Sequence, residues 1–309
     1  MPEHQAELLA TMEPTAADLH SRLPAGATTR FAPAPTGYLH LGHLANAIHV
    51  WGLTRVTGGR IVLRIEDHDR IRCRPEYDAA LLDDLEWLGL RADVGPVRQS
   101  ESDEPYERAL ARLRSAGRIY ACDCTRSTFA EWSRSTGRSW TGPGCPGRCR
   151  ERGLDERSAP VLRVVVDDSS EAWDDLRVGW RGGAVNPAGD LPVRDRHGNW
   201  TYGFAVVVDD LRQGIDLVIR GADLLDSTPA QIRLGRLLGR PAPPAFYHHD
   251  LIRRPDGRKL SKADGDTAIG DLRRGGVSAA SLLGLAAVAI GLQGEPRPLE
   301  PDAIAGLFG

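Results

Sequence analysis

The stretch from Thr28 to Leu88 constrains the fold more than any other part of the 309-residue chain. A short extended piece, Thr29-Arg-Phe-Ala32, runs into Pro33-Ala-Pro-Thr-Gly37, where two prolines and a glycine force a turn. Leu41, Leu44, Ala45, Ile48 and Gly52 to Leu53 then recur at helical spacing until Gly58-Gly59 stops the run. Ile61-Val-Leu-Arg-Ile65 is apolar and β-branched, as a strand buried on both faces requires, and the polar cluster Glu66-Asp-His-Asp69 ends it. Pro75 opens a helix through Leu88, and another runs from about Glu104 to Ala116. Strand, turn, helix, strand, helix predicts an α/β fold: a Rossmann-like, doubly wound parallel sheet, with ligands beyond the carboxyl ends of its strands.

The rhythm breaks at Tyr120 to Arg150, where Cys122, Cys124, Cys145 and Cys149 lie among Ser, Gly, Pro and Arg. It resumes with strands expected at Val161 to Val166, Leu191 to Arg194, Asp216 to Arg220 and Phe246 to Ile252, and a helix from Thr228-Pro229 to Leu238. Phe204 to Val208 is apolar without a readable period. The expected organisation is a loosely held extension over 1–27, the first half of the Rossmann-like domain over 28–119, an insertion over 120–160, the second half over 161–265 and a helical segment over 266–309. Four cysteines within one window, out of an odd total of five, fit a metal clip better than a disulfide framework. Val277 to Leu292, the longest apolar run, is interrupted by serines and reads as a core helix, and the acidic start lacks a signal-peptide core. A cytoplasmic protein with no membrane partner is expected, acting as a monomer.

With a net charge of -3 and a pI near 6.3, the chain fails the basic-domain test, so a nucleic-acid partner must be argued from motifs. Of 39 basic residues only Lys259 and Lys262 are lysines, and they stand three apart in Gly257-Arg-Lys-Leu-Ser-Lys-Ala263. Arginine offers a rigid fork, lysine a compact charge on a flexible stem that follows a moving phosphate. The second feature is Thr36-Gly-Tyr-Leu-His-Leu-Gly-His43 at a strand-to-helix junction, where unpaired N-H groups favour phosphate and glycine allows close approach. Neither the Walker A spacing nor GxGxxG fits it. Taken singly, two histidines at a turn or two lysines in a loop are ordinary structural features.

Together they are not. Arg30-Phe-Ala-Pro-Ala-Pro-Thr-Gly-Tyr-Leu-His-Leu-Gly-His43 and Lys259-Leu-Ser-Lys262 resemble, in order, the HIGH and KMSKS elements of class I aminoacyl-tRNA synthetases. Arg64-Ile-Glu-Asp-His-Asp69, Val207-Val-Asp-Asp210 and Ile219-Arg-Gly-Ala-Asp-Leu-Leu-Asp-Ser-Thr-Pro229 bring the resemblance closest to the glutamyl group. The cysteine cluster and the short stretch between Lys262 and Gly309 further resemble the glutamyl-queuosine tRNA(Asp) synthetase subfamily, which lacks an anticodon-binding domain.

The resemblance implies ATP-dependent activation of L-glutamate to glutamyl-adenylate and transfer to queuosine in the anticodon stem-loop of tRNA(Asp). It implies a glutamate site of Arg30, Phe31, Ala32, Pro33, Ala34, Glu66, Tyr202 and Arg220, in which two cationic forks, an anion and a hydroxyl suit an amino acid with two carboxylates. It implies that His40, Gly42 and His43 bind the ATP phosphates and that Lys259 and Lys262 follow the charge moving onto pyrophosphate. Mg²⁺ should ride on the phosphates, and one structural Zn²⁺ should sit on Cys122, Cys124, Cys145 and Cys149. Two positions depart from the family pattern: Ala34 replaces a serine near the substrate amino group, and Cys145 stands where the subfamily often has tyrosine. Asp67 and Asp69 read as loop-capping or solvated and Cys73 as merely packed. Two other readings use the same motifs: a glutamate-activating ligase acting on a carrier protein or small molecule, and a binding module that has lost catalysis.

Overall fold

A computed structural model describes residues 16–137, 144–167, 169–185, 189–252 and 267–309. After helix α1 (Ala16–Arg22), strand β1 (Thr28–Phe31), helix α2 (Leu41–Val56) and strand β2 (Arg60–Ile65) follow the expected order. Helix α3 (Pro75–Trp87), strand β3 (Val94–Arg98), helix α4 (Glu104–Ser115) and strand β4 (Ile119–Cys122) come next. Helix α5 (Arg126–Thr136) precedes strands β5 (Val161–Val164), β6 (Ser170–Asp175), β7 (Gly179–Ala184) and β8 (Leu191–Arg194). The remainder is helix α6 (Tyr202–Arg212), β9 (Leu217–Gly221), α7 (Thr228–Leu237), β10 (Ala245–His249), α8 (Ile269–Arg274) and α9 (Ala279–Ala289), closed by a 3-10 segment, Pro301–Leu307.

Strands β1, β2 and β3 pair in parallel, as do β9 and β10, while β6 joins β10 and carries the antiparallel edge strand β7. The two groups meet where β9 runs along β1: Asp216 N donates to Thr28 O (3.0 Å), and Thr28 N donates to Asp216 Oδ1 (2.7 Å). The chain builds outward from β1 in one direction and, after the interruption, from β9 in the other. That reversal leaves a crevice at the carboxyl ends of β1 and β9, the place where ligands bind in open α/β sheets.

Helix α2 backs this crevice and is buried on almost every side, including Leu44, Ile48, Leu53 and Trp51. One of its faces meets the C-terminal segment so closely that a Cβ at Gly52 would lie 2.1 Å from the Phe308 ring. The expected core helix near Val277 is α9, which packs beside α2 in the same apolar cluster. Among the described residues no helix is long and apolar enough to cross a membrane.

One unassigned run finds its place and two sequence expectations change. Phe204 to Val208 lies within α6. The N-terminal extension is not loose over its described part: Leu19, Leu23 and Ala27 are buried, and Arg22 donates to Asp174 Oδ1 (2.8 Å) and to the Asp175 carbonyl (3.0 Å). Strands β5 and β8, expected in the second half of the catalytic domain, form an antiparallel sheet with β4 in the order β4-β5-β8. The cysteine-bearing unit therefore draws in two strands that follow the 120–160 stretch.

Candidate active site and cysteine centre

A cleft of about 780 Å³ opens at the carboxyl ends of β1, β2 and β9 and at the N-terminus of α2. Arg30, Phe31, Ala32, Pro33, Ala34, His40, Gly42, His43, Glu66, Tyr202 and Arg220 all line it. Every described residue singled out for the amino acid or the nucleotide thus faces one space. Lys259 and Lys262 lie outside the described residues. The chain approaching them, Leu251 and Ile252, lines the cleft, and the chain leaving them returns beside His40, where Ala268 bridges His40 and Ile269 N donates to Leu39 O (2.9 Å).

At the phosphate end, His40 is the N-cap of α2. Its Nδ1 accepts from Gly42 N (3.1 Å), and His43 Nδ1 accepts from His40 N (3.2 Å). A ring nitrogen that accepts from a backbone N-H carries no proton, so each neutral imidazole holds its hydrogen on Nε2, as a donor. Gly42 is required by this packing, since a Cβ there would sit 2.9 Å from His40 Cε1. Both rings line the cleft at the positive end of a helix, an arrangement suited to an anion.

The opposite wall is a buried charge network. Arg30 donates through Nε to Asp210 Oδ1 (3.1 Å) and through Nη1 to Ile219 O (3.1 Å). Arg64, fully buried, donates to Asp210 Oδ1 (2.8 Å), Gln213 Oε1 (3.0 Å) and Glu66 Oε1 (3.2 Å). Burial opposes charge on Asp210, yet Arg30 and Arg64 hold its carboxyl below the ordinary value. Burial wins at Glu66 and pushes it up despite Arg64. Glu66 is therefore a carboxyl that gains by receiving a second cation, such as a substrate ammonium.

Arg220, at the end of β9, donates to His248 Nε2 (3.0 Å), Gln231 Oε1 (2.6 Å) and Thr228 Oγ1 (2.8 Å). Asp67 accepts from Ser100 N (2.8 Å), and Asp69 from Ile71 N (3.1 Å) and Arg72 Nε (2.6 Å), which is the loop-capping role expected of them. Sequence reading quoted Arg64 and Asp210 without giving them work and passed over His248 and Asp175. The available signal was a polar side chain inside an apolar strand, Arg64 in β2 and His248 in β10.

The four cysteines come together at the end of β4. All four are buried, and their sulfurs lie within 4.8 Å of one another, with Cys124 Sγ 3.9 Å from Cys145 Sγ and 3.4 Å from Cys149 Sγ. A Zn–S bond of ~2.3 Å places tetrahedral sulfurs ~3.8 Å apart, so the cluster fits such an ion. Arg152 Nη1 donates to Cys149 Sγ (3.5 Å), and Arg148 Nη1 reaches Cys124 and Cys149 Sγ (3.9 Å each). Asp123 Oδ1 anchors both guanidiniums, at 2.6 and 3.3 Å. Four thiolates around a divalent ion leave excess negative charge, which two arginines offset. Cys73 stands apart and half-buried, its thiol pushed up to about 11 by burial and by Asp69 and Asp67, so it stays protonated.

The catalytic-domain family of class I tRNA synthetases (E and Q) matches residues 27–288. A glutamyl-Q tRNA(Asp) synthetase of Symbiobacterium thermophilum is 42% identical over 90% of this chain and 91% of its own length. A glutamate–tRNA ligase of Thermosynechococcus vestitus is 39% identical over 82% of this chain, which spans 55% of that longer protein. Among solved structures, a glutamate tRNA ligase from Elizabethkingia meningosepticum in complex with its amino acid superposes with a TM-score of 0.74 at 26% identity, over 91% of this chain and 64% of that one.

Proposed function

Since this chain belongs to the class I tRNA synthetases of the glutamate and glutamine type and is a ligase of that kind, we propose that it activates L-glutamate with ATP and transfers it to queuosine in the anticodon of tRNA(Asp). The observation that carries the reading is the two-ended cleft, with a carboxylate and ammonium wall of Arg30, Glu66, Tyr202 and Arg220 facing a phosphate end of His40, Gly42 and His43. Glutamate lies with its carboxylates toward the guanidiniums and its ammonium toward Glu66. Its α-carboxylate oxygen attacks the α-phosphorus of ATP in line, the bond to the bridging oxygen breaks, and pyrophosphate leaves with the electron pair. No protein nucleophile is needed; positioning and charge neutralisation carry the step. The Nε2-H groups of His40 and His43 donate to phosphate oxygens, and Lys259 and Lys262 follow the charge onto pyrophosphate, with Mg²⁺ accompanying the phosphates. A hydroxyl of queuosine then attacks the adenylate carbonyl and releases AMP. Zinc on the four cysteines would play a structural part, because four protein ligands leave no open position.

The queuosine acceptor is supported by the near full-length match to a protein named for that activity, against partial coverage of the glutamate–tRNA ligases. The test is glutamate-dependent exchange of pyrophosphate into ATP without tRNA, followed by mapping of labelled glutamate on ribonuclease fragments of tRNA(Asp). Exchange with glutamate but not aspartate or glutamine, and label in the anticodon loop only when queuosine is present, is the expected result. Label at the 3′ end, or on a protein or small molecule, would overturn the acceptor and leave activation standing.

A further inference from the structure

Arg220 has five N-H donors. Three of them anchor it on the side away from the cleft, Nε to His248 Nε2 (3.0 Å), Nη1 to Gln231 Oε1 (2.6 Å) and Nη2 to Thr228 Oγ1 (2.8 Å). On the cleft side the guanidinium also pairs with the Tyr202 hydroxyl, and the two groups line the cleft together.

The bond to His248 is chemically selective. Arg220 Nε can only donate, so His248 Nε2 must be bare, and a neutral ring then carries its proton on Nδ1. Nδ1 lies 2.5 Å from Asp175 Oδ2, an acceptor that enforces this tautomer. Asp175 cannot turn away: its Oδ1 accepts from Arg177 N and Val178 N, at 3.1 Å each, in the turn that joins β6 to β7. His248 and Asp175 are both wholly buried, and burial together with the nearby guanidinium keeps the imidazole neutral. Phe246 stacks on the His248 ring (5.8 Å) and lies under the Arg220 guanidinium (5.4 Å), which closes the remaining freedom.

We propose that Asp175 and His248 are positioning residues that hold Arg220 in register with a carboxylate of the amino-acid substrate, Asp175 by setting the His248 tautomer and His248 by fixing the Arg220 Nε. This rests on the assignment of Arg220 to glutamate. Neither residue lines the cleft. Both sit on the far side of the arginine, on β6 and β10, so the cleft depends on β6, which contributes nothing to its wall. An asparagine at 175 breaks the relay without a change of size. Its single carbonyl serves the turn amides, its NH₂ then faces Nδ1, and the ring must move its proton to Nε2, where it opposes the Arg220 N-H.

The experiment is steady-state pyrophosphate exchange on the full chain, with KM for L-glutamate and for ATP measured separately in His248→Leu, His248→Gln, Asp175→Asn and Arg220→Gln. Asp175→Asn and His248→Leu should each raise the glutamate KM about tenfold, the scale of one charged hydrogen bond misaligned, with the ATP KM and kcat within about twofold. His248→Gln, which restores an acceptor near the Nε2 position, should recover most of the loss. A wild-type glutamate KM in Asp175→Asn, an equal rise in the ATP KM, or a glutamine variant as impaired as the leucine one would overturn the proposal. Arg220→Gln separates the two layers: an unchanged glutamate KM there refutes the assignment of Arg220 itself. The isosteric Asp175→Asn carries the test alone if His248→Leu does not fold.

Discussion

Ala34 is the position at which a single atom decides something. It follows Pro33, whose carbonyl accepts from Glu66 N (3.0 Å), and its own carbonyl accepts from Thr36 N (2.8 Å), so the backbone beside the proposed ammonium site is already fixed. A serine hydroxyl would need no backbone change and would add one polar contact beside Glu66. Ala34→Ser should therefore lower the glutamate KM about fivefold, the equivalent of ~1 kcal/mol for one hydrogen bond, without altering the ATP KM. Exchange kinetics at saturating ATP measure it. An unchanged or higher KM would show that the ammonium lies elsewhere in the cleft.

Between elements, the contact of α3 with α8 carries a buried acid. Asp84 is buried on α3, and a Cβ on Gly270 of α8 would come within 4.0 Å of its Oδ1, while the neighbouring Asp83 pairs with Arg273 (2.6 Å). Burial and the charge of Asp83 push the Asp84 carboxyl up to about 6. The folded chain then holds a proton that the unfolded chain releases near pH 4, so stability falls as pH rises from about 4 to about 6, and the penalty is complete above that. Asp84→Asn removes the penalty. The variant should melt a few degrees above wild type at pH 7.5 and close to it at pH 4.5; equal differences at the two values would refute the linkage. What the sequence made legible at this scale follows the same logic of burial. β1, α2 and β2 were readable because Pro, Gly and β-branched residues punctuate them. Helix α6 was not, because Phe204 to Asp210 are all buried and no polar face marks a helical period. β6 was hidden because its inward residues, Glu171, Trp173 and Asp175, include two acids. β3 was hidden by Gly95-Pro96, a pair that reads as a turn. At the site, cleft-lining groups such as Arg30 and His40 were found because they sit in a recognisable string. Asp175 and His248 were missed because their work is done through another side chain.

For the molecule as a whole, the cysteines pack in a cluster apart from the one beneath the cleft. The cleft is built over the large apolar cluster of α2, α9 and the parallel strands, whereas the cysteines form a cluster of their own with Tyr120, Phe129, Leu154 and Val161 around them. The cysteine centre ties to its surroundings through Asp190, whose N donates to Cys145 O (2.9 Å) and whose carboxylate accepts from Arg150 Nε (2.6 Å) and Tyr120 (2.7 Å). None of these residues lines the cleft. Protein purified without added metal should contain one zinc per chain, and Cys145→Ser plus Cys149→Ser should contain close to none, because a thiolate pair lost from a tetrahedral site removes half its ligands. On the proposed reading, with the acceptor gripped through the cysteine-bearing unit and activation drawing on the cleft, the same variant should keep glutamate-dependent exchange within about threefold and lose transfer to tRNA more than tenfold. Metal analysis and the two assays on one preparation decide it. Zinc retained in the variant would remove the site, and exchange lost in step with transfer would show that the metal supports the whole fold rather than the acceptor side alone.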